Sequence, residues 1–171
     1  MLKRHLRIAW IVGGFLVADL SLAGGSGETA FHTKARALAL DSPSAERSFV
    51  RVFSAGADSR RPARVGPGEI DSALSSHIQG QSIDTADAFV MRKIGELLAG
   101  LNLSEADRTP ERLDLRFKME AYIRGEKVIE FYATTDGFLL FEGRVLRSDS
   151  KGWLRILWDL ASARDIYTPP E

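Results

Sequence analysis

Cysteine is absent from the 171 residues of this chain, and histidine occurs only three times. Without cysteine there are no disulfide bonds, no thiolate metal sites and no cysteine nucleophile, so apolar burial has to hold the fold together. Histidine is the commonest general base near neutral pH. His5 lies in the N-terminal leader and His32 in a segment expected to be flexible, which leaves His77 in a structured region. No second histidine accompanies His77 to share a metal ion, so a surface or helix-edge position is the simpler interpretation.

The motifs that carry common enzyme chemistry are also missing. No serine stands in a Gly-x-Ser-x-Gly turn, and no glycine pattern matches a phosphate-binding loop. Asp84 and Asp87 flank a predicted helix start, where capping explains them. Asp114 and Glu120 share a predicted strand with basic side chains, which is typical of cross-strand charge pairing. We therefore expect no enzyme activity, no metal site and no cofactor.

The chain carries no excess of either charge, with 23 basic and 23 acidic residues. Lys3, Arg4, Arg7 and Asp19 all fall in the leader, so its removal leaves 20 basic and 22 acidic residues. Nucleic-acid-binding proteins usually carry a clear positive excess. We expect no nucleic-acid partner.

Residues 1–23 have the pattern of a signal peptide. A basic start is followed by the apolar run Ile8–Leu22, and Ser21 and Ala23 are small residues at the positions that signal peptidases require. A membrane-spanning helix needs about 20 clean apolar residues, whereas this run contains Asp19. We expect cleavage and no stable membrane anchor; an uncleaved N-terminal anchor is the alternative.

Residues 24–68 are expected to be a flexible targeting segment and linker. The range 56–68 contains Pro62, Pro67 and several glycines and arginines, a composition typical of linkers. The apolar piece Ser48–Ser54 within the segment is enough for one short strand or a docking element. We place the domain boundary at this linker and expect residues 69–171 to form the compact domain.

Two helices open the expected domain. Apolar residues recur at helical spacing over residues 70–78, and a longer stripe covers residues 86–101. Asp84 or Thr85 can cap the start of the second helix, and Gly100 lies where a C-terminal cap belongs.

The run Leu113–Ile123 has apolar residues at every odd position and polar or amphipathic residues between them. This period of two predicts a strand with one face on a core. A helix is the alternative, because residues 109–111 resemble a helix start and some apolar residues of the run also recur four apart. We favour the strand, since the alternation is complete and a β-rich region follows.

Val128–Ala133 is predicted to be a second strand. Phe138–Leu146 is predicted to contain a third strand that is broken near Glu142 and Gly143, and residues 153–161 a last helix. The expected fold is therefore α+β: two helices, a three-stranded antiparallel meander and a C-terminal helix, after a signal peptide and a flexible N-terminal segment.

The solvent side of this meander is where we expect a binding surface. Tyrosine and arginine are enriched at protein interfaces, and the meander would expose Tyr122, Arg124, Tyr132 and Arg144. An exposed edge strand can also recruit a partner by strand addition. The sequence thus favours a protein partner.

Two short motifs lie between the leader and the linker. Arg36-Ala37-Leu38-Ala39 has arginine and leucine at two of the three fixed positions of an Arg-x-Leu-Arg motif, and Glu46-Arg47 matches the end of a Glu-Glu-Arg motif. In this layout the chain resembles the RxLR-type secreted effectors of oomycete plant pathogens. The resemblance assigns Arg36, Leu38, Glu46 and Arg47 to a targeting motif.

The resemblance implies a virulence protein that is secreted by a pathogen, enters host cells, binds a host protein there and suppresses host defence. A second interpretation suits the same leader and the same small domain. On that interpretation the chain is a bacterial periplasmic inhibitor or immunity protein that binds a secreted toxin or enzyme.

Overall fold

The computed structural model describes residues 27–41, 47–55, 64–76 and 81–162. Within these ranges the chain forms four α-helices and seven strands, with a short 3₁₀ turn at Pro110–Arg112. In chain order the elements are α1 (Gly27–Asp41), β1 (Phe49–Ser54), α2 (Pro67–Ser76), β2 (Gln81–Thr85), α3 (Ala88–Ala99), β3 (Leu103–Glu105), β4 (Leu115–Ile123), β5 (Glu126–Thr134), β6 (Phe138–Phe141), β7 (Arg144–Ser148) and α4 (Trp153–Ser162).

All seven strands belong to one antiparallel sheet in the order β2-β1-β4-β5-β6-β7-β3. The α+β class is thus confirmed. The expected three-stranded meander was too small, because β1 joins the free side of β4 and β3 joins the free side of β7. The predicted break in the third strand is a full turn that separates β6 from β7, since Glu142 and Gly143 both have positive φ.

The strand interpretation of residues 113–123 is confirmed over β4, and the helix alternative is wrong. Pro110 begins only a 3₁₀ turn, because Leu113 already has extended backbone angles. The pairing with β5 shifts between Leu115 and Phe117, so Arg116 is the extra residue of a β-bulge. As a result Leu115 and Phe117 pack in different apolar clusters although both are odd-numbered.

Residues 24–68 were expected to be flexible, and the described part of this range is instead folded. Phe31 and Leu38 of α1 are fully buried, and the Phe31 ring meets the rings of Phe131 and Phe141 edge-on with centroids 5.4 and 5.3 Å apart. β1 pairs with β4 along all of its 6 residues. The compact unit therefore begins by Gly27 rather than at residue 69. The predicted leader, residues 1–23, lies outside the described residues.

The sheet has two faces of different character. On what we call the helix face, α1, α3 and α4 pack against one large apolar cluster that includes Met119, Phe131 and Trp153. On the opposite face, which we call the second face, α2 and neighbouring loops cover a smaller cluster around Ile70 and Tyr132.

The start of α3 differs from the prediction in its cap. Asp84 and Thr85 lie in β2, and Asp87 caps the helix instead by accepting a 2.8 Å hydrogen bond from the backbone N–H of Val90. None of the helices in the described ranges is both long enough and apolar enough to cross a membrane.

Candidate functional site

Ionisable side chains from three adjacent strands meet on the second face of the sheet. Arg51 of β1 lies opposite Glu120 of β4, which lies opposite Glu130 of β5. Side chains of directly opposed residues share a face. The next opposed pair on this face is Lys118 of β4 and Tyr132 of β5. These two side chains and the three above form a compact grid of acidic, basic and phenolic groups.

Lys118 is at the centre of this grid and is almost completely buried. Its Nζ donates to Oδ1 of Asp71 at 2.6 Å and lies 3.0 Å from Oε1 of Glu120 and 3.8 Å from Oε2 of Glu130. The hydroxyl of Tyr132 donates to the same Asp71 carboxylate, with distances of 3.0 and 3.2 Å to its two oxygens. The Asp71 carboxylate of α2 therefore accepts hydrogen bonds from both the Lys118 ammonium and the Tyr132 hydroxyl.

These contacts determine the protonation states of Lys118, Tyr132 and Glu130. Burial disfavours the charged form of Lys118, but hydrogen bonds to Asp71 and Glu120 outweigh burial and raise its pKa above the usual range. Burial and the Asp71 hydrogen bond raise the pKa of Tyr132 to about 12. Burial opposes the charge of Glu130, yet the Lys127 hydrogen bond and the Lys118 charge lower its pKa. At neutral pH Lys118 and Tyr132 therefore keep their protons, and Glu130 is ionised.

The part of the second face away from α2 is partly open to solvent. Arg51 donates to both oxygens of Asp84 at 2.8 and 2.7 Å, which raises the pKa of Arg51. Lys127 pairs with Glu130, and the rings of Phe49 and Tyr122 stack with centroids 4.6 Å apart. We call this open part the charged face; its members are Phe49, Arg51, Asp84, Tyr122, Lys127 and Glu130.

The side chains of the charged face are only partly exposed. The side chains of Arg51 and Asp84 are 36% and 38% exposed, and those of Lys127 and Glu130 are 44% and 29% exposed. Paired and partly desolvated charges have fewer conformations to lose when a partner covers them. The geometry suits binding of another surface.

The structure does not bring the four predicted binding residues together. Tyr122 belongs to the charged face, but Tyr132 is buried beneath α2. Arg124 is exposed in the turn between β4 and β5 with a φ of 54°. Arg144 lies opposite Phe141 on the helix face, where it donates to Glu105 at 2.8 Å.

The residues assigned to a targeting motif are not presented as one exposed segment. Arg36 is exposed on α1, whereas Leu38 is fully buried in the core. Arg47 is in a turn, and its carbonyl oxygen accepts a hydrogen bond from the N–H of Gly125. Glu46 lies outside the described residues. In the folded domain Leu38 is therefore a core residue.

Arg51, Asp71, Asp84 and Lys118 were missed as site residues. The alternation of β4 placed Lys118 and Glu120 on one face, which was the available signal. Their partners come from β1, β2 and α2, which are distant in the chain, so no local pattern could have identified them.

Within the described ranges, no group of three or more histidine, aspartate or glutamate side chains is arranged to hold a metal ion. A nitrogen of His32, Nε2, lies 2.8 Å from the carbonyl oxygen of Leu101, and His5 and His77 fall outside the described residues. No family model matches the chain, and neither a curated protein nor a solved structure does so.

Proposed function

We propose that this chain is an exported, non-enzymatic protein that binds a protein partner through the charged face. The observation that carries the proposal is the partial exposure of this face beside an otherwise well-covered sheet. It combines a stacked Phe49–Tyr122 pair with the Arg51–Asp84 and Lys127–Glu130 ion pairs. Aromatic and arginine side chains flanked by charges are typical of protein interfaces.

The protonation states support binding over catalysis. A lysine nucleophile needs a lowered pKa, and a general base needs a pKa near neutral. Lys118 has its pKa raised instead, and Tyr132 is held protonated by the Asp71 carboxylate. Lys118 and Tyr132 thus both serve to fix α2 on the sheet through Asp71.

The charge pattern indicates the kind of partner. Within the charged face each cation has a carboxylate neighbour, so neither sign dominates. A polyanion such as nucleic acid would meet Asp84 and Glu130 as well as Arg51 and Lys127. A protein surface of mixed charge, with an apolar group to cover Tyr122, is the better match.

We propose two cellular settings for this binding. In the first the chain is a secreted effector that reaches host cells and suppresses host defence. In the second it inhibits a secreted toxin or enzyme in the bacterial periplasm. The burial of Leu38 favours the second, because that setting needs no exposed targeting motif between leader and domain.

Affinity capture with matched variants tests the proposal. The leaderless chain is immobilised, a retained protein is identified by mass spectrometry, and its affinity is measured by calorimetry with the purified partner. Tyr122→Ala should weaken binding at least about tenfold, because a central aromatic residue often contributes more than 1 kcal/mol to an interface.

Arg92→Glu is the control, since Arg92 is exposed on α3 at the opposite side of the sheet. This variant should bind as the unmodified chain does. A partner whose affinity falls with Arg92→Glu and not with Tyr122→Ala would place binding on the helices and overturn the proposal.

A further inference from the structure

Among the residues that the structure describes, three stretches of strand in this sheet have no neighbouring strand on one side. They are the outer edge of β2, the outer edge of β3 and the first part of β5, which pairs with β6 only at Tyr132 and Ala133. Unpaired strand edges expose N–H and C=O groups that can pair with another chain, so proteins usually protect them.

Two of the edges carry recognised protective features. β3 has only 3 residues, and its Glu105 is held by Arg144. The free stretch of β5 contains a bulge, because the register with β4 shifts between Ile129 and Lys127, and it also carries the exposed Lys127. Short length, bulges and lysine all discourage pairing with another strand.

β2 is longer than β3 and has neither a bulge nor a lysine, although its Asp84 is held by Arg51 as Glu105 of β3 is held by Arg144. Its 5 residues, Gln-Ser-Ile-Asp-Thr, include neither lysine nor proline, and each is paired with β1 in an unbroken register. Gln81 and Ser82 are exposed. A regular, unprotected edge of this length is long enough for strand pairing.

The sequence of β2 is also complementary to itself. In an antiparallel pair centred on Ile83, this residue opposes its own copy, Ser82 opposes Asp84 and Gln81 opposes Thr85. The pairing thus sets an apolar side chain against an apolar one and a hydroxyl donor against a carboxylate. No like charges face each other in this register.

We propose that β2 pairs with β2 of a second copy of this chain about a two-fold axis through Ile83. A two-fold axis perpendicular to the sheet keeps corresponding faces on the same side. The two charged faces then lie side by side, with the Arg51–Asp84 pairs flanking the junction. This dimer does not depend on the proposed partner, and either proposal can fail alone.

Analytical ultracentrifugation of the leaderless chain over a wide concentration range tests the pairing, with Ser82→Asp as the main variant. The unmodified chain should change from one copy to two as concentration rises. Ser82→Asp places a carboxylate opposite Asp84 of the second copy and should raise the dimer dissociation constant at least about tenfold. Ser104→Asp, the same substitution at an exposed position of β3, is the control and should leave it unchanged.

Ser82→Lys tests the register, because it places an ammonium opposite Asp84 and should preserve or tighten the dimer. Circular dichroism establishes whether each variant is folded. If Ser82→Asp does not fold, the sedimentation of the unmodified chain and of Ser82→Lys still tests the proposal. A chain that stays monomeric up to about 1 mM, or a dimer unaffected by Ser82→Asp, overturns the proposal. Slowed amide exchange in residues 81–85 only on addition of another protein would also overturn it, and would assign this edge to a partner's strand.

Discussion

Nζ of Lys118 lies 2.6 Å from Oδ1 of Asp71, which joins β4 to α2 across 47 positions of the chain. Lys118 is 7% exposed at its side chain and Asp71 is 45% exposed, so the ammonium is inside and its partner is at the rim. The ion pair, together with buried Ile70, fixes α2 on the second face of the sheet. Because α2 covers the neighbouring part of the second face, this ion pair determines where the charged face ends.

Replacing Lys118 should destabilise the domain. Lys118→Met leaves Glu120, whose side chain is 10% exposed, without its closest cation. Removing one member of a buried ion pair typically costs about 3 kcal/mol or more, and urea denaturation measures this loss. Lys127→Met is the matched control at a half-exposed position and should cost less than about 1 kcal/mol. Equal losses for the two variants would contradict the central position of Lys118.

Tyr132 should ionise at unusually high pH. Because its folded pKa of about 12 exceeds the value near 10 of an unfolded chain, its contribution to stability is complete below pH 10 and is lost as pH rises toward 12. Heteronuclear NMR of the tyrosine ring carbons follows this ionisation directly. Asp71→Asn should lower the pKa of Tyr132, since it removes a carboxylate that stabilises the protonated phenol. A midpoint near pH 10 in the unmodified chain would disprove the contact.

Gly95 should not tolerate alanine although alanine favours helices. A Cβ atom at Gly95 would lie 2.5 Å from the backbone nitrogen of Ala39 and 2.7 Å from its Cα, so α1 would have to move. Such overpacking costs roughly 2 kcal/mol, which exceeds the gain of about 1 kcal/mol in helix propensity. Gly152→Ala is the control, because no atom of the described residues other than its chain neighbours lies within 4 Å of the new methyl group. Thermal unfolding should show a lower Tm for Gly95→Ala alone.

The fragment 69–171 should not fold by itself. It lacks α1 and β1, and with them the fully buried Phe31, Leu38 and Val50. Fragment 27–171 retains these residues and should give a dispersed amide NMR spectrum, whereas fragment 69–171 should not. A folded spectrum from the shorter fragment would restore the domain boundary that the sequence predicts.

The local patterns of the sequence account for much of the sheet. Strict alternation identified β4, and turn residues on both sides identified β5. β2 and β3 were missed because they are short and their stability comes from pairing with distant strands. α1 was underestimated because Phe31, Ala35 and Leu38 form its buried stripe, and a small residue such as Ala35 gives a weak apolar signal.

The candidate site was less accessible to prediction. Tyr122 and Tyr132 share the second face, yet α2 buries the second of them through a contact that spans 61 positions. Arg144 lies on the helix face, and not on the predicted solvent side of the meander, because a turn at Glu142 and Gly143 begins a new strand. The positions of these side chains depend on tertiary packing, which cannot be recognised from local sequence patterns.

Site-specific photo-crosslinking tests the assignment of the binding surface most directly. A benzophenone amino acid is placed at Tyr122 on the charged face or, in a second variant, at Phe89, which is 61% exposed on α3. Each purified variant is mixed with a cell extract and irradiated, with a host-cell extract for the first cellular setting and a bacterial extract for the second. We predict a specific adduct with one protein from position 122 and none from position 89. An adduct from position 89 alone would contradict the account.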